Sequence, residues 1–206
     1  MSPTGAPGFS VVVLAAGGSS RLGSPKQLVR LAGEPLVCRA ARLAHESGAR
    51  SVVVVTGGAA EAVAEALGDA RVRIAFNASW AEGPGTSLHT GIEALLADAS
   101  RPRDESAVLM LCDQPFLTPE HLRTLAERVA QGHPAAASAY GGDGGFGVPA
   151  AFAAALLPEL LSVGAHQGAK PVLMRHREGL ALLPFAEGLL DVDTPADVER
   201  LGLKLR

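Results

Sequence analysis

The feature that most constrains this chain is an alternation. Short runs of β-branched and other apolar residues recur, separated by Ala/Leu-rich stretches with helical spacing. Residues 10–15 (SVVVLA), 51–56 (SVVVVT), 72–76, 107–111 (AVLML), 135–140 and 180–185 read as strands. Runs this short and this uniformly apolar fit strands covered on both faces. Residues 35–47, 61–67, 87–97, 118–131, 150–157 and 169–176 read as helices, and residues 141–147, dense in glycine, as a loop. A last helix opens at Thr194-Pro195-Ala196-Asp197 with capping-box spacing, and Thr118-Pro119 opens the fourth helix in a similar way. Strands alternating with helices predict parallel βαβ units in a three-layer α/β/α sandwich with a mostly parallel, Rossmann-like sheet. No repeat or low-complexity linker interrupts the pattern. The 206 residues are therefore expected to form one domain, with its core in residues 10–202.

Composition narrows the functional classes. The net charge is −3, from 18 basic and 21 acidic residues, and aromatic residues make up 4%. Neither a basic surface for nucleic acid or membranes nor a base-stacking platform is expected. Residues 1–10 contain no Lys or Arg and no long apolar run, so no secretory leader is expected. No apolar stretch is long enough for a membrane span. Cys38 and Cys112 fit neither a disulfide scaffold nor a metal knuckle, and the six histidines are scattered. The expectation is a reduced, cytoplasmic protein.

In sheets of this type, ligands bind beyond the carboxyl ends of the strands. Polar chemistry gathers at those places. After the first strand comes Ala16-Gly17-Gly18-Ser19-Ser20-Arg21-Leu22-Gly23-Ser24-Pro25-Lys26. Two glycines leave consecutive N–H groups open as a nest for an anion, and Ser19 and Ser20 add hydroxyls. Arg21 and Lys26 add cations within reach of the same phosphates. Lysine is scarce, with only Lys26, Lys170 and Lys204 against fifteen arginines, which makes a lysine in this loop informative. The loop matches neither G-x-G-x-x-G nor the P-loop, because Ser24-Pro25 separates Gly23 from Lys26. The competing reading is an ordinary strand-to-helix turn with incidental charge.

Asp113 follows the fourth strand directly. A carboxylate facing a phosphate nest needs a divalent cation between them, and Mg²⁺ binds through one or two carboxylates plus substrate phosphates. Asp113 also suits a plain turn before Gln114-Pro115. Asp191 and Asp193 lie on an extended approach to the last helix, and only one is expected to face the site. Asp193 is the choice, since Thr194 already supplies the cap. Asn77, Trp80, Glu82, Gly83 and Ser87 form a polar segment after the third strand that can hold a base or ribose, or else serve as an ordinary loop anchored by the sole Trp.

Residues 14–26 (LAAGGSSRLGSPK) resemble the signature loop of sugar-nucleotide and molybdenum-cofactor nucleotidyltransferases. Cys112-Asp113-Gln114-Pro115 and Asp191-Val192-Asp193-Thr194-Pro195 resemble the MobA-like branch, closest to the molybdenum-cofactor cytidylyltransferases, and the similarity runs from Val11 to about Leu201. The resemblance implies the nucleotide-diphospho-sugar transferase (GT-A-like) fold. It implies a nucleoside triphosphate held by Leu14, Ala15, Ala16, Gly17, Gly18, Ser19, Ser20, Arg21, Gly23 and Lys26, with Asn77, Gly83 and Ser87. Arg21, Lys26 and Asp113 would be catalytic, and Asp113 and Asp193 would hold Mg²⁺. Ala16 before the glycines accompanies CTP in that family. The implied reaction transfers CMP to the phosphate of molybdopterin, with a molybdenum hydroxylase apoenzyme as a possible downstream partner. Two segments depart from the pattern: Val148 stands in Gly147-Val148-Pro149 where many relatives carry His, and residues 165–170 read AHQGAK rather than Gly-Asp-x-Gly-Ala-Arg. Both departures fall where the acceptor is expected. Alternatives are a sugar- or alditol-phosphate nucleotidyltransferase, to whose methylerythritol-phosphate members Pro25-Lys26-Gln27 is similar, and a nucleotide-binding maturation partner without transfer activity.

Overall fold

The computed structural model describes residues 8–19, 21–141 and 145–203. Strand β1 (Phe9–Leu14) lies in the interior of a seven-stranded sheet with β4 (Val52–Thr56), β5 (Arg73–Phe76), β6 (Ser106–Leu111), β7 (Ala135–Ala139), β8 (Phe146–Phe152) and β9 (Ala181–Pro184). The order across the sheet is β5-β4-β1-β6-β8-β7-β9. All pairings are parallel except the two made by β8, which runs antiparallel to β6 and β7. Between β1 and β4, a short hairpin of β2 (Arg30–Leu31) and β3 (Glu34–Pro35) turns on Ala32 and Gly33, both at positive φ.

The helices form the outer layers. On one face lie α1 (Leu36–Glu46), α2 (Ala60–Leu67) and α4 (Pro119–Ala130). On the other lie α3 (Pro84–Leu96), α5 (Leu157–Leu160) and α6 (Lys170–Arg175). Alternation along the strands explains the split. Val11 and Val13 pack with the first face and Val12 with the second; Val52 and Val54 oppose Val53 and Val55 in the same way. Both faces of the central strands are therefore dry, which is why their sequences are unbroken apolar runs.

A third, smaller cluster positions the site. Leu22 and Val29, from the segment after β1, pack with Val192 and Val198 near α7 (Pro195–Arg200). The α7 capping box is complete: Thr194 Oγ1 accepts from the Asp197 N–H, and the Asp197 carboxylate accepts from the Thr194 N–H. This docks the chain around Asp193 onto the loop that follows β1.

Two expectations for the C-terminal half are corrected. The helix expected over 150–157 is strand β8 as far as Phe152, then a 3-10 turn over Ala154–Leu156, and then the four-residue α5. Ala150, Ala151 and Phe152 are fully buried between β6 and β7, and that position overrides the helical preference of alanine. The loop expected over 141–147 is also shorter, because Phe146 and Gly147 already pair with β7; residues 142–144 lie outside the described residues. A register shift between Ala137 and Ser138 leaves Val148 and Pro149 out of the ladder, which accommodates a proline within an interior strand.

Candidate nucleotide-binding site

The ends of β1 and β6 are neighbours in register, Leu14 beside Leu111. Everything that follows them in sequence therefore converges at one edge of the sheet. A cavity of about 370 Å³ opens there, lined by Leu14, Ala16, Gly17, Gly18, Lys26, Gly83, Ser87 and Asp113, with Trp80 on its wall. A second depression joins it through Gly17 and Lys26 and is lined also by Ser19, Arg21 and Asp193.

The backbone of the glycine loop is sorted by polarity. The carbonyls of Ala15 and Gly17 accept from the Gln27 side-chain amide at 2.8 and 2.7 Å, and the Ala16 carbonyl accepts from the Gly58 N–H at 3.2 Å. The N–H groups of Gly17, Gly18 and Ser19 find no acceptor among the described residues. Three successive N–H groups without an acceptor have the form of an anion nest. Ser19 holds the turn at φ 52° and accepts from the Lys26 N–H through its hydroxyl at 2.9 Å.

The wall is built on missing side chains. A Cβ on Gly18 would lie 2.6 Å from the Trp80 indole. A Cβ on Gly57 would lie 2.6 Å from both the Ala16 carbonyl oxygen and Trp80. Asn77 works behind the wall. Its amide nitrogen donates to Thr86 Oγ1 (2.9 Å) and Ser87 Oγ (3.0 Å), and its oxygen accepts from the Ser79 N–H. It thus orients Ser87 rather than facing the cavity. The Gly85 N–H donates to the Ala165 carbonyl at 2.8 Å, so the divergent 165–170 segment backs onto the start of α3 at the cleft margin.

The charges are coupled. The Lys26 ammonium donates to Asp113 and, at 3.0 Å, to Asp193, while Arg21 reaches the other Asp193 oxygen at 2.6 Å. Asp113 is 5% exposed at its side chain and Lys26 21%, whereas Arg21 is 71% exposed. Burial lowers the Lys26 pKa, but Asp113 and Asp193 more than offset this, and the ammonium stays charged well above neutrality. Among the described residues, the buried Asp113 Oδ1 has no hydrogen-bond partner. Asp191 is pushed up to about 6 by burial and by the Asp113 charge, with Asp193 contributing. Asp193 lines the second depression and Asp191 lines neither cavity, although alternation is not what separates them. Residues two apart on an extended chain share a side, and it is Val192 that turns away into the apolar cluster. Burial first, and then Asp113, raises the Cys112 thiol, which makes it a poor nucleophile.

The sequence-predicted residues thus fall into groups. Leu14, Ala16, Gly17, Gly18, Lys26, Gly83, Ser87 and Asp113 line the main cavity; Ser19, Arg21 and Asp193 line its extension; Ala15 and Asn77 are buried behind it; Gly23 lines neither. Ser20 lies outside the described residues. Sequence reasoning missed Gln27, a neutral amide beside a charged residue. Among the described residues, no group of three or more His, Cys, Asp or Glu is placed to hold a metal unaided. Among the described residues, too, no helix is long and apolar enough to cross a membrane.

The bifunctional protein GlmU of Caldanaerobacter subterraneus is 33% identical over 118 residues, 56% of this chain and 24% of its own length. The nicotine blue oxidoreductase of Paenarthrobacter nicotinovorans is 35% identical over 119 residues (57% and 55%). The 3-deoxy-manno-octulosonate cytidylyltransferase of Halorhodospira halophila is 37% identical over 128 residues (60% and 45%). The chain thus spans about a quarter to a half of the length of these curated relatives. Solved structures match more fully. Rv0371c from Mycobacterium tuberculosis is 30% identical with a TM-score of 0.77, covering 94% of this chain and 97% of that one. A nucleotidyl transferase from Methanothermobacter is 26% identical with a TM-score of 0.77, covering 94% and 95%. The MobA-like NTP transferase domain matches residues 11–180, most of the chain, and the chain belongs to that family.

Proposed function

We propose that the chain is a nucleotidyltransferase that moves CMP from CTP onto the phosphate of a small acceptor, releasing pyrophosphate. The observation that carries this reading is the cleft shared by the open N–H groups of residues 17–19, Lys26 and Asp113. A polyphosphate fits the nest and the lysine, and the buried carboxylate opposite suits a metal rather than a second anion.

Two features support Mg²⁺ as the metal: the partnerless Asp113 Oδ1, and the single ammonium that Asp113 and Asp193 share. Asp113 and Asp193 would hold the ion, which would neutralise phosphate charge as the bond to the leaving group lengthens. The remaining work falls to the chain. The loop N–H groups and Lys26 bind the β- and γ-phosphates, and Arg21 swings from Asp193 to the same charge. An acceptor phosphate oxygen attacks the α-phosphorus, the new P–O bond forms as the bond to the bridging oxygen breaks, and pyrophosphate departs with the electron pair. No general base is required, because a phosphate acceptor is ionised at neutral pH; catalysis is positioning and charge stabilisation.

The acceptor reading favoured here is a sugar- or alditol-phosphate. The cytidylyltransferase relative supports it, and so do the departures at Val148, His166 and Lys170 from the molybdenum-cofactor pattern. Molybdopterin remains the second reading, favoured by Cys112-Asp113-Gln114-Pro115 and Asp191-Val192-Asp193-Thr194-Pro195. The test is pyrophosphate release with each of the four NTPs, Mg²⁺, and either a panel of sugar and alditol phosphates or molybdenum cofactor. Release with CTP and a panel member is expected. Release only with the cofactor selects the second reading. CTP binding without release under any condition points to a binding partner in hydroxylase maturation, and overturns the enzyme reading.

A further inference from the structure

We infer that Gln27 is a positioning residue that holds the glycine loop in its anion-accepting form and so sets the affinity for the polyphosphate, an inference that rests on the proposed nucleotide site. Gln27 is fully buried. Both hydrogens of its amide are committed, one to the carbonyl of Ala15 and one to that of Gly17, at 2.8 and 2.7 Å. These carbonyls flank the bend, and each carries the charge that repels phosphate. Tied down by Gln27, they are turned to the amide, while the N–H groups of Gly17, Gly18 and Ser19 have no acceptor among the described residues. Gln27 also follows Lys26 in a 3-10 turn, so one short segment fixes both the nest and the ammonium that shares it. No other side chain bonds these two carbonyls among the described residues, and glycine offers no side chain to restrain the bend. Gln27 lies behind the cavity wall, so its effect on substrate runs through the loop.

The role predicts a particular kinetic signature. The nest already holds the triphosphate in the ground state, so loosening it removes mainly ground-state binding and raises KM more than it lowers kcat. Gln27→Met keeps length and volume but has no donor. Expected are an increase of about ten-fold in KM for CTP and in Kd for CTP and pyrophosphate, with kcat within about three-fold of the parent. Gln27→Asn keeps an amide one methylene short, and is expected to fold and to fall between the two. Titration calorimetry with CTP–Mg²⁺ and with pyrophosphate gives the affinities without turnover, and thermal melts give stability. A purely structural role lowers the melting temperature and the active fraction while leaving KM and Kd at parental values; that outcome in either variant overturns the proposal. Tight binding by both variants alongside an active parent refutes the Gln27 role alone. Failure of the parent to bind CTP or pyrophosphate removes the nucleotide reading and this inference together.

Discussion

Replacing Lys26 by Met separates the two jobs assigned to this side chain. In the resting protein, Lys26 is paired with Asp113, whose carboxylate is 5% exposed and whose other oxygen has no partner among the described residues. Removing one member of a buried pair leaves an uncompensated charge, which costs about 3–5 kcal/mol. Lys26 is itself 21% exposed, so water relieves part of that cost, and about 3 kcal/mol is the working figure. For a chain of this size, that lowers the melting temperature by about 6–12 °C. Separately, loss of one preorganised donor to the developing charge raises the barrier by about 3 kcal/mol, roughly a hundred-fold or more in rate. Arg21→Ala is the control. It breaks a pair that is 71% exposed on the arginine side, so stability changes by less than about 1 kcal/mol, yet it removes a cation from the phosphate path. Thermal melts and pyrophosphate release, measured on parent and both variants, separate the effects. A Lys26→Met protein that melts with the parent and retains its rate would refute both halves of the reasoning.

Three further outcomes follow from other parts of the structure. His121 is half-buried, donates through Nε2 to Ser138, whose hydroxyl is committed to the Pro149 carbonyl, and is lowered by desolvation to about 4. A folded-state pKa below the unfolded 6.5 means stability is complete above pH 6.5 and falls by about 3 kcal/mol as pH drops to 4; urea melts should show this in the parent and a flatter profile in His121→Gln. Gly57→Ala forces a methyl against the Ala16 carbonyl and Trp80, so a loss of about 2 kcal/mol in urea and weaker CTP binding are expected, and an unchanged midpoint would contradict the packing described. Thr194→Ala removes the α7 cap for about 1 kcal/mol and loosens the segment carrying Asp193, which should appear as lower stability together with weaker Mg²⁺ dependence of pyrophosphate release.

The central strands were legible because burial on both faces leaves only one kind of residue, as in Val11, Val12 and Val13. Strand β8 was not: its Gly147, Pro149, Ala150 and Ala151 disfavour strands and mask the preference of Phe146, Val148 and Phe152, and insertion between β6 and β7 makes the segment extended. The hairpin at residues 30–35 was hidden by Ala32, which adopts a positive φ that its sequence does not announce. Within the site, Lys26 and Asp113 stood out because a scarce lysine and a strand-end carboxylate are chemically conspicuous. Gln27 did not, since its role depends on which carbonyls fold back over it. Alternation does not separate Asp191 from Asp193, so which of them lines the cleft, Asp193 alone, depends on how the segment docks.

The central claim is that the bend after β1 cradles a triphosphate across from Asp113. A crystal structure with a non-hydrolysable CTP analogue and Mg²⁺ tests it most directly. The account predicts β- and γ-phosphate oxygens on the N–H groups of residues 17–19 and on Lys26, with the ion between them and Asp113. Phosphates bound away from this cleft, or an ion without Asp113 among its ligands, would contradict it.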